Sequence, residues 1–123
     1  MAERLAPIPL AFWRSATGRE PVREWLKQLP REDQRGIGRD IAKVQFGWPV
    51  GLPLCRPMSA GLWELRSTLP SRREARVFFG FHDGMLIALH VFIKKTQRTP
   101  KEELALARER WKELESWRER TRT

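Results

Sequence analysis

The 123-residue sequence has no tyrosine, a single cysteine and no long apolar run. Each shortage closes off a class of protein. Without tyrosine there is no phenol for proton transfer. Cys55 alone cannot close an internal disulfide, and no CxxC or Cys/His grouping of zinc-ligand spacing occurs, so neither bridges nor a structural metal are expected to hold the fold. The longest uninterrupted apolar stretch, Met85 to Ile93, spans nine residues and contains His90, whereas a membrane helix takes about 20. The opening MAERLAPIPL lacks the apolar core of a secretory signal. A cytoplasmic protein that does not engage membranes is expected.

What is present suits one folded domain over residues 1–123. Hydrophobic residues make up 41%, with six Trp and six Phe, and a chain of this length buries roughly two-thirds of its unfolded surface. Lys and Arg number 24 against 15 Asp and Glu, a formal charge of +9. Residues 47–100 hold eight basic and three acidic side chains, against nine and six in residues 1–46 and seven and six in residues 101–123. Basic groups gathered on otherwise apolar strands suit a polyanionic partner.

Pro7 and Pro9 precede the short aromatic run Leu10–Arg14, which reads as an edge strand. Pro21 stands at a first helical position, and Val22, Trp25, Leu26 and Leu29 fall on one helix face. A second helix starts at Pro30, with Ile37, Ile41 and Val44 on one stripe and Gly47 as its C-terminal stop. Gly36 and Gly38 weaken that helix unless they permit close contact with the first one. Trp48 to Gly61, rich in Pro and Gly, reads as loop. Three strands follow as a meander, Leu62–Leu69, Glu74–His82 and Met85–Lys94, the last two joined by the tight-turn pair Asp83-Gly84. Thr99-Pro100-Lys101-Glu102 forms a capping box, and Leu104, Ala107, Trp111 and Leu114 continue a final helix that frays over about 118–123. The fold class is α+β, an antiparallel sheet with an N-terminal helical hairpin and a C-terminal helix.

Side chains alternate across strands, so a two-residue turn at Asp83-Gly84 pairs His82 with Met85, Phe78 with Leu89 and Arg76 with Val91. That parity sets Arg76 with Val91, Ile93 and Lys95, and turns His90 and Lys94 to the side of Val77. Arg66 lies directly across from Arg76 if the connection between their strands is three residues, and on the other face if it is four. Like charges in opposition cost stability, so either an anion compensates them or Glu64 or Glu74 neutralises one of them. His90, inside an apolar run, reads as a hydrogen-bonded core residue and His82 as a support of its turn or a surface residue. Glu64 reads as an ion-pair partner of Arg66 before a general base. Most tryptophans read as core; Trp48 is left open.

The segments Gly18–Leu26, Gly47–Pro53, Gly61-Leu62-Trp63-Glu64-Leu65-Arg66, Ala75-Arg76-Val77-Phe78-Phe79, His82-Asp83-Gly84 and Phe92–Pro100 together resemble the phage-derived HigB-type toxins of the RelE/ParE superfamily. The likeness runs from about Phe12 to Trp111, and LWELR, ARVFF and FIKKTQ-x-TP in this order are its specific part. It implies a RelE/ParE-like fold and the toxin of a type II toxin–antitoxin system. Such a toxin cleaves mRNA, often on the ribosome, and is neutralised by a HigA-like helix-turn-helix antitoxin. The basic strand positions of the superfamily correspond to Arg66 and Arg76, with Lys94 and Lys95 in the FIKKTQ motif. Some relatives use a Tyr or His near the C-terminal end for proton transfer; the tyrosine route is closed to this chain.

The implied chemistry is attack of a 2′-hydroxyl on the adjacent phosphorus, without metal or other cofactor. Arg66 and Arg76 hold the nonbridging oxygens. Lys95 is the candidate base, because a lysine among positive charges loses its proton more readily. Lys94, Arg72, Arg73 and Arg98 are candidate contacts to the RNA backbone. Two rival readings carry different outcomes: a ParE-like gyrase poison cuts no RNA, and a nonenzymatic RNA-binding module neither cuts RNA nor damages DNA.

Overall fold

A computed structural model describes residues 6–98 and 100–121 of the chain. The centre of the fold is the hairpin of β4 (Glu74–His82) and β5 (Met85–Lys94). Its turn residues Asp83 and Gly84 take φ of 51° and 78°, the left-handed pair that matches strand twist in a two-residue turn. β3 (Leu62–Thr68) runs antiparallel to β4. Between them the Leu69 N–H donates to the Arg73 carbonyl (2.9 Å), leaving a three-residue turn, Pro70-Ser71-Arg72, in which Arg72 has φ of 70°. The three-residue condition is met, and Arg66 stands opposite Arg76.

Two short strands complete a sheet of order β1-β5-β4-β3-β2. β1 (Leu10–Phe12) pairs parallel to β5, so the sheet is mixed and the expectation of a wholly antiparallel one is corrected. Tight hairpins dictate antiparallel neighbours; β1 reaches β5 across most of the chain, and no turn sets its direction. β2 (Cys55–Pro57) forms inside the stretch expected to be loop. Its Pro57 is tolerated because β2 is an outer strand.

α1 (Pro21–Lys27) and α2 (Arg31–Gly47) cover one face of the sheet. Val22, Leu29, Ile37 and Val44 join Leu65, Val77, Phe79 and Val91 in one core, and Gln34 Nε2 braces the joint by donating to the carbonyls of Lys27 and Leu29. α3 (Lys101–Thr121) covers the other face, where Ala107 and Trp111 meet Leu62, Phe78, Ile87 and Leu89. Cover on both sides is why β4 and β5 read as continuous apolar runs. Thr99, the expected cap of α3, lies outside the described residues, as do 122 and 123 of the tail expected to fray; the helix itself runs past Trp117 to Thr121.

Two glycine expectations change. Gly47 is the last residue of α2 and not a left-handed stop; the helix ends because Trp48 precedes Pro49, and a residue before proline disfavours the helical conformation. Gly36 does permit a close approach, but to the β3–β4 turn: a Cβ there would lie 2.7 Å from Pro70 Cδ. The same junction is locked by Asp33, whose buried carboxylate accepts from the Ser71 N–H and from Arg73 Nη2, both at 3.0 Å.

The pairing of β4 with β5 holds the correction that matters most. From His82 opposite Met85 it runs as expected to Phe79 opposite Ala88, then slips by one at a bulge, so that Phe78 faces His90 and Arg76 faces Phe92. Leu89 is the extra residue, and a slip of one reverses parity for everything beyond it. Arg76 therefore shares its face with His90, Phe92 and Lys94. Val91 and Ile93 pack on the opposite side with Val77.

Candidate functional site

The register arranges the α3-facing side of β3, β4 and β5 in rows. Glu64, Phe78 and His90 form one; Arg66, Arg76 and Phe92 the next; Thr68, Glu74 and Lys94 the last, at the open end of the sheet. The two guanidiniums stand side by side with a glutamate on each flank. Arg66 Nε lies 4.0 Å from Glu64 Oε1, and Arg76 Nη1 donates to Glu74 Oε2 (3.4 Å) and to the Ala75 carbonyl (3.1 Å). Thr68 Oγ1 sits 2.7 and 3.0 Å from the two oxygens of Glu74. Its hydroxyl holds the Glu74 carboxyl below the usual carboxylate range; burial opposes this, and the Arg76 hydrogen bond and the charges of Arg76 and Arg66 add to it.

Arg66, Glu74, Arg76, Lys94, Lys95, Thr96 and Gln97 line one open cleft of about 460 Å³. The residues expected to act together are thus brought together, with their parts redistributed. Lys94 stands on the arginine face. Lys95, expected there by parity, follows the end of β5 and reaches the cleft from the exposed segment beyond it. A second opening of about 590 Å³ shares Arg66, Glu74 and Arg76 and extends to Asp40, Lys43, Pro53 and Leu54, so the basic trench continues toward α2. Sequence reading missed Lys43. Its only signal is one exposed lysine beside Asp40, which it pairs with at 3.4 Å, on a helix with many other charges.

The other predicted contacts lie apart. Arg73 is engaged with Asp33 and lines a neighbouring groove of about 800 Å³ with His90, Lys95 and Glu103. Arg72 is exposed at the tip of its turn, and Arg98 is exposed beyond the cleft. His90 is hydrogen-bonded as expected: Nε2 is 2.9 Å from Glu103 Oε2, and the ring stacks on Phe92. His82 is buried at the far end of the sheet, edge-on to Trp111 and 3.4 Å from Asp83, which places it in the turn-supporting role. Trp48, left open by sequence, packs among Trp63, Phe79 and Phe81. Among the described residues no three His, Cys, Asp or Glu side chains cluster closely enough to hold a metal ion. No helix there is long and apolar enough to cross a membrane.

Four cations against one lining carboxylate make a site for an anion. Guanidinium forks grip two oxygens of a phosphate, and the paired strands β3 and β4 set the two side by side. The family described as Phage derived protein Gp49-like (DUF891) matches residues 24–112, which include every strand of this site and α2. The chain belongs to that family. Among curated proteins, none matches it significantly. The matched span begins within α1 and stops at the residue after Trp111, so the family's shared part is strands β2 to β5, α2 and the half of α3 that seals them.

Proposed function

We propose that this member of the Gp49-like family is the toxin of a type II toxin–antitoxin pair, of the HigB type within the RelE/ParE superfamily, and that it cuts mRNA. The single observation that carries the reading is the convergence of Arg66, Arg76, Lys94 and Lys95 on one open cleft. Membership in a phage-derived family associated with RelE-like toxin proteins supports it.

In this reading the substrate supplies its own nucleophile. The 2′-oxygen attacks the adjacent phosphorus, a cyclic phosphate forms, and the bond to the 5′-oxygen breaks. Charge builds on the nonbridging oxygens of the crowded intermediate, where the two guanidiniums bind more strongly than they bind the starting diester. Two protons move, one from the 2′-hydroxyl and one to the departing 5′-oxygen. Lys94 on the arginine face and Lys95 at its rim are the groups assigned to them. The trench toward Lys43 admits a strand longer than the scissile dinucleotide. A HigA-like antitoxin with a helix-turn-helix domain is the proposed inhibitor, and mRNA on the ribosome the proposed substrate.

Inducing the protein in cells and mapping new RNA 5′ ends tests the reading. New ends that vanish in an Arg66→Ala variant support it. DNA damage without new ends would assign the chain to gyrase poisoning, and neither outcome would leave an RNA-binding module.

A further inference from the structure

Two buried polar atoms of the site have no hydrogen-bond partner among the described residues: Glu64 Oε2 and Arg76 Nε. Both residues are almost withdrawn from solvent, at 2% and 4% exposure. A buried ion with incomplete partners lowers stability, and a well-packed apolar side chain of similar size serves a core as well or better. Glu64 lies mid-strand opposite the fully buried Phe78, with Leu62 and Leu65 in the core on either side of it. Packing gives no reason for a carboxylate there. Positions where a local rule is broken this way mark function.

The geometry identifies the role. Glu64 stands one row behind the arginine pair on the same face, and its Oε1 approaches Nε of Arg66. Nε is the inner corner of a guanidinium. Attraction at that corner leaves both terminal nitrogens for the cleft, and they are the half that grips two oxygens of a phosphate. Glu74 acts from the opposite side, meeting Arg76 at a terminal nitrogen at the mouth of the cleft. One carboxylate sits at the base of the clamp and one at its rim.

We propose that Glu64 is a positioning residue: its buried carboxylate turns the Arg66 fork, and with it the arginine pair, toward a phosphodiester in the cleft. The inference rests on the RNA-cleaving reading of that cleft. Glu64 does not touch the substrate. It sets the orientation of the group that does, and a misplacement of that group by about 1 Å costs on the order of 100-fold in rate.

Glu64→Gln keeps the volume and removes the charge. For that variant, turnover of single-stranded RNA is expected to fall about 10- to 100-fold. Its affinity for a noncleavable 2′-O-methyl oligoribonucleotide should hold or tighten, because the cleft gains net positive charge, and its Tm should hold or rise. A merely structural role would lower Tm and affinity together, which overturns the proposal, as does wild-type turnover. A second measurement needs neither the variant nor cleavage. In the wild-type full chain, hydrogen exchange at Arg66 Nε, followed by nitrogen-15 NMR, is expected to be slower than at the exposed Arg72. Equal exchange at the two would overturn the proposal even if Glu64→Gln fails to fold. If the wild-type protein cuts no RNA, the functional reading fails while the exchange comparison still decides whether Glu64 holds Arg66.

Discussion

Replacing Gly80 with alanine should unseat α3. A methyl group built on Gly80 would lie 2.6 Å from two carbons of the Trp111 ring and 3.0 Å from a third, about 1 Å inside ordinary carbon contact. The ring has little room to retreat. Its other edge rests on Gly61, where a Cβ would be 3.3 Å away, and its Nε1–H donates to the Ala60 carbonyl at 2.9 Å. Either the indole moves and loses that bond, or the helix lifts from the sheet. Overpacking costs about 1–3 kcal/mol, and stranding a buried donor about 1–3 kcal/mol more. A net loss of about 2–4 kcal/mol allows for partial relaxation. The sign is the diagnostic part. At an open strand position the same change gains about 0.5–1 kcal/mol, because glycine has more backbone freedom to lose.

Thermal unfolding followed by tryptophan fluorescence measures the loss, which at about 3–6 °C per kcal/mol for this length is a Tm fall of roughly 6–24 °C. A double-mutant cycle with Trp111→Leu isolates the contact: removing the ring relieves the overlap, so the two changes together should cost less than their sum by more than about 1 kcal/mol. A neutral or stabilised Gly80→Ala protein, or an additive cycle, would refute the packing argument.

Arg66, with 37% of its side chain exposed, should lose RNA cleavage on change to Ala with Tm nearly unchanged, whereas Arg76→Ala should lose cleavage and about 1–3 kcal/mol of stability, because its buried head satisfies Ala75 and Glu74. Cleavage assays beside thermal melts check both, and full activity in either variant removes the clamp from the mechanism. Lys94→Ala should reduce turnover more than Lys95→Ala, since the bulge sets Lys94 on the arginine face; the reverse ranking would deny that face its role. The thiol of Cys55, pushed up to about 12 by burial together with the smaller effect of the Asp40 charge, should resist thiol reagents in the native protein and react only on unfolding; rapid native labelling would show that β2 opens. Thr68→Val should let the Glu74 carboxyl return toward its ordinary range. A depressed carboxyl stabilises above its unfolded pKa and stops doing so as pH falls through the folded value, so the variant should lose stability near neutral pH and show a flatter acid decline. Superimposable Tm–pH curves would remove Thr68 as the cause.

The limits of β4 and β5 and their turn were legible because Asp83-Gly84 demands one turn type and fixes the first pairs. The arginine pair was legible up to a condition on loop length, which the Leu69–Arg73 hydrogen bond resolves. What could not be read was the bulge. In Met85-Leu86-Ile87-Ala88-Leu89-His90-Val91 both faces are apolar, so no alternation marks the extra residue, and Leu89 enters a core whichever way it points. That one residue moved the facing lysine from 95 to 94. β1 was legible as an edge strand but its parallel direction was not, and β2 was obscured for a different reason: three residues ending on Pro57, it is a strand by virtue of its pairing with β3. Glu64 was visible as a neighbour of Arg66, but its burial goes with its place opposite the buried Phe78 on the neighbouring strand, a pairing that was itself conditional in the sequence.

The seat of α3 and the openness of the cleft are two ends of one arrangement. Trp111 fixes the helix over the hairpin end of the sheet, against Gly80 and Gly61, and Ala107 and Leu104 carry the cover along the apolar rows. Cover thins at the row of His90, where Glu103 in the first turn of α3 reaches the imidazole and the sheet face turns from apolar to charged. Beyond it the rows of Arg66 and Arg76 and of Glu74 and Lys94 face the segment from Lys95 to Gln97, which forms a wall of the cleft. Had α3 been seated one turn further along, about 5.4 Å, its apolar stripe would cover the arginines and the mixed-charge face would have no solvent to meet. The glycines that receive Trp111 therefore also set where the basic site begins. A shift of α3 in Gly80→Ala should alter the cleft without touching any of its charges.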